Sequence, residues 1–176
     1  MLPSSRYLAR AMVEGLTPGP GDLVLEYGPG LGAFTGELDR LLSRGADYLG
    51  IELDPEFHRR IGQRFPERRF ALGAAQDVDR LLESASLAEP STIISGLPLG
   101  AMSAPLQDQI LSKTSRIMRP GGIFRTFSYV HIYPTPGGTR LRDLMKRHFD
   151  DFEITKAVFR NVPPALVLSG RARGDR

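Results

Sequence analysis

The chain has 176 residues, which suffices for one domain with a buried core and is too short for two domains of ordinary size. Apolar residues make up 41% and charged residues 24%, as in a folded globular protein rather than a disordered chain. The absence of cysteine excludes disulfides and thiolate metal sites, and the three histidines lack the spacing of metal ligands, so no metal is expected. No apolar run of about 18 residues predicts a membrane-spanning helix, and no secretory signal is evident.

The net charge is only +3, yet the cations are clustered. Three clusters stand out: Arg59, Arg60, Arg64, Arg68 and Arg69; Arg140, Arg142, Lys146, Arg147 and His148; and Arg171, Arg173 and Arg176. Charge runs usually form the solvated face of a helix. The alternative is attraction to an anionic partner, either nucleic acid or an acidic membrane leaflet.

Strands and helices alternate from residue 22 onward. Apolar spacing predicts helices at 33–42, 55–65, 77–82, 106–118 and 139–149, and strands at 23–27, 48–53, 69–72, 92–96, 123–129, 152–159 and 165–171. Helix 106–118 is expected to bury Leu106, Ile110 and Ile117. A further helix is expected within residues 1–17.

This order predicts an α/β fold in one domain, residues 1–176. Four strand–helix crossovers in series imply a mostly parallel sheet with helices on both faces. The last two strands are separated only by residues 160–164, which is too few for a crossover helix, so they should form an antiparallel hairpin. The sheet is therefore expected to be seven-stranded and to end in that hairpin.

The first strand runs into the segment Glu26-Tyr27-Gly28-Pro29-Gly30-Leu31-Gly32 before a helix begins. Glycines there let the backbone turn sharply and let a ligand approach the main chain. Gly28, Gly30 and Ala33 also satisfy the dinucleotide pattern, so a nicotinamide dinucleotide-binding protein is one alternative. Glu26 favours another ligand, because its carboxylate would repel a pyrophosphate and attract the amino group and sulfonium of S-adenosylmethionine.

Two further loops are candidates for the same ligand. Glu52, followed by Leu53, ends the second strand, where a carboxylate can accept hydrogen bonds from both ribose hydroxyls. After the third strand, Gln76 or Asp77 is a candidate for the adenine amino group, although Asp77 is equally suited to cap a helix. The predicted cofactor residues are thus Glu26, Tyr27, Gly28, Gly30, Gly32, Glu52, Leu53, Gln76, Asp77 and Ser95.

The exit of the fourth strand reads Ser95-Gly96-Leu97-Pro98-Leu99. Pro98 stiffens this loop, which resembles the proline-containing loop of amine-directed methyltransferases, and that resemblance implies backbone carbonyls that hold a nucleophilic amine against the methyl donor. Leu99 offers no ring on which a nucleic-acid base would stack. Ser95, Gly96, Leu97 and Pro98 are therefore predicted catalytic residues, together with Tyr129, which ends the fifth strand.

These motifs resemble the class I S-adenosylmethionine-dependent methyltransferases, which have a Rossmann-like sheet of this kind. The segment Ser95-Gly96-Leu97-Pro98-Leu99 and the segment Arg160-Asn161-Val162-Pro163-Pro164-Ala165 are similar to the bacterial phospholipid N-methyltransferases, a group otherwise similar to the rRNA adenine dimethyltransferases. The resemblance implies a monomer that methylates phosphatidylethanolamine stepwise toward phosphatidylcholine, with S-adenosyl-L-homocysteine as product. It also implies no nucleic-acid partner, whereas an rRNA adenine N6-dimethyltransferase is the alternative within the class.

The same resemblance extends to the rest of the site and to the surroundings of the protein. The helix within residues 1–17 would cap the cofactor, and Tyr7, His131, Tyr133 and Arg160 would contact the lipid, Arg160 through its phosphate. The protein is expected in the cytoplasm, peripherally bound to the inner, anionic face of the cytoplasmic membrane. Members of that group usually begin with an amphipathic helix, whereas this chain starts almost directly at Pro3-Ser4-Ser5, so vesicle binding is expected to be weak and to fade with salt.

Overall fold

Strands and helices alternate along the chain, largely as the sequence predicts. A computed structural model describes residues 4–42, 45–155 and 157–174; Pro3 and Arg176 lie outside the described residues. The strands are β1 (Leu23–Tyr27), β2 (Asp47–Glu52), β3 (Arg69–Leu72), β4 (Thr92–Ser95), β5 (Ile123–Tyr129), β6 (Phe149–Ile154) and β7 (Ala165–Ala172). The α-helices are α1 (Arg6–Val13), α2 (Ala33–Leu42), α3 (Pro55–Arg64), α4 (Val78–Ser84), α5 (Ala104–Ile117) and α6 (Pro136–His148).

All seven strands form one sheet in the order β3-β2-β1-β4-β5-β7-β6. The strands from β1 to β5 pair in parallel, whereas β7 is antiparallel to both β5 and β6. The predicted mostly parallel sheet with a C-terminal antiparallel hairpin is therefore confirmed. The order reverses between β1 and β4, so a crevice for a ligand is expected where these two strands end.

The predicted boundaries are wrong at the hairpin. The strand expected at 152–159 is β6, which begins at Phe149, and the helix before it begins at Pro136 rather than at residue 139. Proline at the first helical turn and the Thr135 hydroxyl, which accepts the Gly138 N–H, explain the earlier start. Beyond Ile154, Thr155 exchanges hydrogen bonds with Val167 of β7, and Val158 forms an isolated bridge with Ala165.

Helices cover both faces of the sheet. One core includes buried side chains of α1 and α2, and the other includes side chains of α4, α5 and α6. The buried face of α5 differs from the predicted one, because Leu106 and Ile117 are only partly buried. Two polar side chains, Gln107 and Thr114, are fully buried instead, beside Ile110 and Leu111. Within the described ranges, no helix combines the length and apolarity needed to cross a bilayer.

The exits of β1 and β4 approach each other so closely that their backbones touch. The Gly96 N–H donates to the Tyr27 carbonyl at 2.7 Å. A Cβ at Gly96 would lie 2.7 Å from the Gly28 carbonyl oxygen and 3.1 Å from that of Tyr27. Because both obstacles are main-chain atoms, a side chain at position 96 would force the two strand ends apart.

Gly96→Ala is therefore expected to lower the free energy of unfolding by about 1–3 kcal/mol, the usual cost of overpacking. Urea unfolding measures the change. Gly19→Ala is the matched control, because no heavy atom lies within 4 Å of a Cβ built there. Equal stability of the two variants would contradict the close approach of β1 and β4.

Candidate functional site

The turn between β1 and α2 has the backbone that its glycines predict. Gly28, Gly30 and Gly32 have φ values of +64°, +53° and +85°, in the left-handed region that favours glycine. A Cβ at Gly28 would lie 2.7 Å from the Leu97 side chain, and one at Gly32 would lie 2.7 Å from both Ile61 and Phe65. Side chains thus pack against Gly28 and Gly32, whereas a Cβ at Gly30 would meet only the Gly28 carbonyl oxygen, at 4.0 Å, so the turn leaves space beside Gly30.

Glu52 fixes this turn from the side of β2. One carboxylate oxygen accepts the Gly30 N–H at 2.9 Å, and the other accepts the Asp54 N–H at 3.0 Å. The residue is 6% exposed. Each oxygen keeps a second lone pair, so the carboxylate can still accept from hydroxyl groups. Its predicted place beside the glycine turn agrees with the structure, and its contact with a ribose stays a prediction.

Glu26 lies beneath the turn and is fully buried. One of its oxygens, Oε2, accepts the Tyr48 hydroxyl at 2.6 Å and the Thr35 hydroxyl at 2.8 Å, whereas Oε1 has no hydrogen-bonding partner among the described residues. Burial raises the pKa of Glu26 to about 7, although the two hydroxyl donors act in the opposite direction. The sequence identified this carboxylate but neither of its donors, since a tyrosine in a strand and a threonine in a helix carry no signal of a shared partner.

These features fit S-adenosylmethionine as a ligand. The glycine turn leaves space beside Gly30, Glu52 offers acceptors for hydroxyl groups, and the orphaned Oε1 of Glu26 offers one buried acceptor near the turn. Glu52 and the ionised form of Glu26 suit a ligand that carries an ammonium and a sulfonium better than they suit a pyrophosphate. The residues that would hold the cofactor are therefore the glycine turn, Glu52 and Glu26.

The other predicted cofactor residues differ from one another in burial and in their contacts. Tyr27 is fully buried and its hydroxyl pairs with Thr114 at 3.1 Å, so only its backbone faces the turn. Leu53 is 69% exposed directly after Glu52. Gln76 and Asp77 lie in a short 3₁₀ turn after β3, where Asp77 makes no capping hydrogen bond and instead approaches Arg80 at 3.5 Å. The capping role considered for the Asp77 side chain is thus wrong, and its role toward adenine stays a prediction.

The loop after β4 lies against the glycine turn. Ser95 is fully buried and its hydroxyl accepts the Leu97 N–H at 3.3 Å, while the Leu97 side chain covers Gly28. Pro98 leads into a short 3₁₀ turn, Leu99–Ala101, that the sequence did not predict. Leu99 is fully buried in the core, so the side chain at this position faces away from any acceptor molecule.

Gln107 holds this loop in place, although the sequence analysis does not identify it. Its amide nitrogen lies 2.8 Å from the Leu99 carbonyl, 3.2 Å from that of Met102 and 3.3 Å from that of Gly137. The side chain is fully buried and joins the loop after β4 to the start of α6. A glutamine inside a helix with an apolar pattern was the one available signal.

Tyr129 and Pro98 line a common small cleft at the end of β5. The Tyr129 ring meets the Phe127 ring edge-on at 5.2 Å, and the His131 ring stacks on it at 5.6 Å with an interplanar angle of 9°. The Tyr133 ring, in contrast, carries the Arg142 guanidinium 4.0 Å from its centroid. The structure thus brings Tyr129 and His131 to the loop after β4, whereas Tyr133 contacts α6.

Tyr7, in α1, and Arg160, in the segment between β6 and β7, contact each other. Arg6 and Arg160 both donate to the Tyr7 hydroxyl, at 3.1 and 3.2 Å, and hydrogen bonds from these two guanidiniums lower the pKa of Tyr7. In the described part of the chain, no carboxylate pairs with Arg160. Its predicted role toward a lipid phosphate stays a prediction.

Sequence relatives include methyltransferases of lipid and of RNA. The ornithine lipid N-methyltransferase of Singulisphaera acidiphila is 25% identical over 171 residues, which cover 94% of this chain and 83% of that enzyme. The ribosomal RNA small subunit methyltransferase A of Aromatoleum aromaticum is 27% identical over 110 residues, which cover 62% of this chain but only 39% of that enzyme. No protein-family model matches the sequence.

Solved structures share the fold. A TehB-like SAM-dependent methyltransferase from Corynebacterium glutamicum superposes with a TM-score of 0.67 at 20% identity, over 94% of this chain and 87% of that one. An RNA methyltransferase from Salinibacter ruber, in complex with S-adenosyl-L-homocysteine, gives 0.64 at 15% identity, over 99% and 96%. The Rossmann-like methyltransferase fold is thereby confirmed. Fold, site and sequence similarity agree on a class I S-adenosylmethionine-dependent methyltransferase.

The buried carboxyl of Glu26 should make stability depend on pH. Its pKa is about 7 in the folded chain against an ordinary value of 4.5, so the folded state binds the extra proton between these values. This contribution is full below pH 4.5 and is lost as pH rises through 7, by up to about 3 kcal/mol. Glu26→Gln keeps an acceptor but cannot ionise. Unfolding by urea without cofactor should show the variant gaining stability relative to the parent protein from pH 5 to pH 8; a constant difference would contradict the buried, protonated carboxyl.

Glu52→Ala should weaken S-adenosylmethionine binding by roughly 10- to 100-fold, the range for lost hydrogen bonds to a charged group. Calorimetry measures the affinity, and thermal unfolding of the same variant reports any loosening of the turn that Glu52 holds. Glu89→Ala removes an exposed carboxylate from the connection before β4 and should leave the affinity unchanged. Unchanged affinity of Glu52→Ala, or tighter binding of NAD by the parent protein, would reject the cofactor assignment.

Proposed function

We propose that this chain methylates the amine of a membrane lipid, with phosphatidylethanolamine and its partly methylated forms as the acceptors. The observation that carries this proposal is the extent of similarity to a lipid N-methyltransferase, which spans 94% of the chain and 83% of that enzyme. Similarity to the rRNA enzymes is limited to part of the chain and about two fifths of their length. Ornithine lipid also carries a primary amine and is the second acceptor to test.

The loop after β4 supplies what an amine acceptor needs. Its backbone is held by Gln107 and by the contact between Gly96 and the glycine turn, so its carbonyls have fixed positions. Carbonyls that accept the N–H bonds of an amine orient the nitrogen lone pair, and such positioning accounts for much of the rate of a two-substrate reaction. When bound, S-adenosylmethionine supplies an electrophilic methyl group on its sulfonium.

The amine must lose a proton before it can attack. An ethanolamine headgroup is an ammonium in water, and desolvation beside the apolar residues of this cleft favours its neutral form. Tyr129 lines the cleft next to Pro98, and His131 stacks on Tyr129 and is exposed to solvent. Tyr129 would orient the amine and pass its proton, with His131 as a route to water.

A nucleic-acid base is a poorer match for this cleft. Leu99 is buried and cannot stack on a base, and the Tyr129 ring is already flanked by Phe127 and His131. Stacking on an aromatic ring contributes about 1–3 kcal/mol per base, which corresponds to roughly 5- to 150-fold in affinity. An alkylamine does not need this contribution, whereas an adenine acceptor would lose it.

A labelling experiment separates the acceptors. The chain is incubated with methyl-labelled S-adenosylmethionine and, in parallel, with phosphatidylethanolamine, ornithine lipid or rRNA. Label is expected in a lipid and not in rRNA. Robust labelling of rRNA with none in either lipid would reject the lipid proposal and support the rRNA alternative.

Tyr129→Phe tests the proposed role of the hydroxyl. Turnover on phosphatidylethanolamine should fall by about 10²-fold or more, the usual range for a proton-transfer group, while the affinity for S-adenosylmethionine stays almost intact. Steady-state kinetics and calorimetry measure the two quantities separately. Normal turnover at saturation combined with lost cofactor affinity would instead assign Tyr129 to the cofactor.

A further inference from the structure

The segment between β6 and β7 exposes two large apolar side chains. Phe159 is 75% exposed and Val162 is 73% exposed, more than any other large apolar residue in the described ranges. A soluble surface gains nothing from an aromatic ring held in water. An exposed pair of this kind therefore suggests a surface that another phase or partner covers.

This segment is tied down rather than free. Asn161, only 2% exposed, accepts the Ser5 N–H at 2.9 Å through its side-chain oxygen and donates to the Pro163 carbonyl at 2.6 Å. The Val158 N–H donates to Ala165 at 2.7 Å. Phe159 and Val162 thus project from a backbone that is anchored to the start of α1 and to β7.

Two cations flank the apolar pair without a counter-ion. The guanidiniums of Arg6 and Arg160 lie 5.0 and 4.9 Å from the centroid of the Tyr7 ring, and both side chains are exposed. In the described part of the chain, neither has a carboxylate partner. Two positive charges held at one tyrosine favour an anion between or beside them.

Several arginines of the predicted basic clusters differ from Arg6 and Arg160 in having a carboxylate partner. Arg59 and Arg60 share Glu56, and Arg68 pairs with Asp39. Arg171 and Arg173 approach Asp151 and Asp150 near the start of β5, whereas the segment between β6 and β7 lies beside the end of β5. These five arginines each have a carboxylate nearby, although Arg59 and Arg60 share a single one, whereas among the described residues no carboxylate pairs with Arg6 or Arg160.

The segment between β6 and β7 lies close to the proposed acceptor site. The Val130 N–H donates to the Pro164 carbonyl at 2.8 Å, and Ala165 pairs with Tyr129. The segment thus lies directly beside the end of β5, where the cleft with Tyr129 and Pro98 opens. Anything bound to this face is next to the proposed acceptor site.

We infer that Phe159, Val162, Arg6 and Arg160 form the face by which this chain docks on an anionic lipid bilayer, with the apolar pair inserted among the acyl chains and the arginines among the phosphates. Apolar side chains beside cations are the combination that binds the interface of an anionic membrane. The inference rests on the proposed lipid substrate, since docking here would bring headgroups to the cleft. Docking on a bilayer would explain both the exposure of Phe159 and Val162 and the absence of a carboxylate partner for Arg6 and Arg160.

The sequence contains no tryptophan, so a single introduced tryptophan is a clean reporter. In Phe159→Trp, vesicles of phosphatidylglycerol and phosphatidylcholine should shift the emission to shorter wavelength, and brominated acyl chains should quench it. Ala88→Trp is the matched control, because Ala88 is exposed in the connection before the start of β4, whereas the segment that holds Phe159 lies beside the end of β5. Equal responses of the two reporters would overturn the inference, as would a response of Phe159→Trp to RNA but not to vesicles.

Charge variants test the cationic half of the face. Arg6→Gln with Arg160→Gln, added to the Phe159→Trp reporter, should weaken binding to anionic vesicles by roughly 25-fold, at about fivefold for each cation near the surface. Arg171→Gln with Arg173→Gln makes the same change in net charge near the start of β5 and should have little effect. Equal losses in the two pairs would overturn the inference and indicate attraction by net charge alone.

A final comparison separates docking from chemistry. Phe159→Ser should lower vesicle affinity by roughly tenfold, and with it methylation of lipid in vesicles, while leaving methylation of detergent-dispersed lipid unchanged. Methylation of dispersed lipid without any vesicle response would overturn the docking face and leave the proposed function intact. A vesicle response without methylation of either lipid form would support the docking face and reject the proposed function.

Discussion

The site depends on the close contact of two strand exits, β1 and β4, at the reversal point of the sheet. Main chain meets main chain where Gly96 approaches the carbonyl oxygen of Gly28, so position 96 leaves no room for a side chain. On the other side, Glu52 holds the Gly30 N–H. The glycine turn is thus fixed between β2 and the loop after β4. The contact between the two strand exits therefore sets the positions of both the glycine turn and the loop after β4.

The buried polar groups around the turn illustrate how such a site balances stability against chemistry. Glu26 is placed where burial disfavours its charge, and Oε1 has no hydrogen-bonding partner among the described residues. A buried acceptor of this kind costs free energy unless a donor reaches it. A ligand with an ammonium group would supply both a donor and a positive charge, so the destabilising feature of the fold is also one that favours cofactor binding.

Much of this could be predicted from the sequence because the signals are local. Apolar runs separated by turn residues specify the strands, and the glycines, with Glu26 and Glu52 at fixed distances from them, specify the cofactor turn. The short connection between the last two strands predicts their antiparallel pairing. The stiff loop from Ser95 to Pro98 follows from its position after a strand. None of these inferences requires knowledge of a distant contact.

The tertiary structure decided what depends on residues far apart in the chain. Gln107 buries its amide in α5 because three carbonyls from separate segments converge there. Arg6 and Arg160, separated by more than 150 positions, meet only because Asn161 ties the segment after β6 to the start of α1. Conversely, Arg59 and Arg60 of the conspicuous basic run both pair with Glu56 within their own helix. Sequence alone thus determined the fold class and the cofactor turn, whereas only folding decided which charges remain unbalanced at the surface, because ion pairing depends on distance in space rather than along the chain.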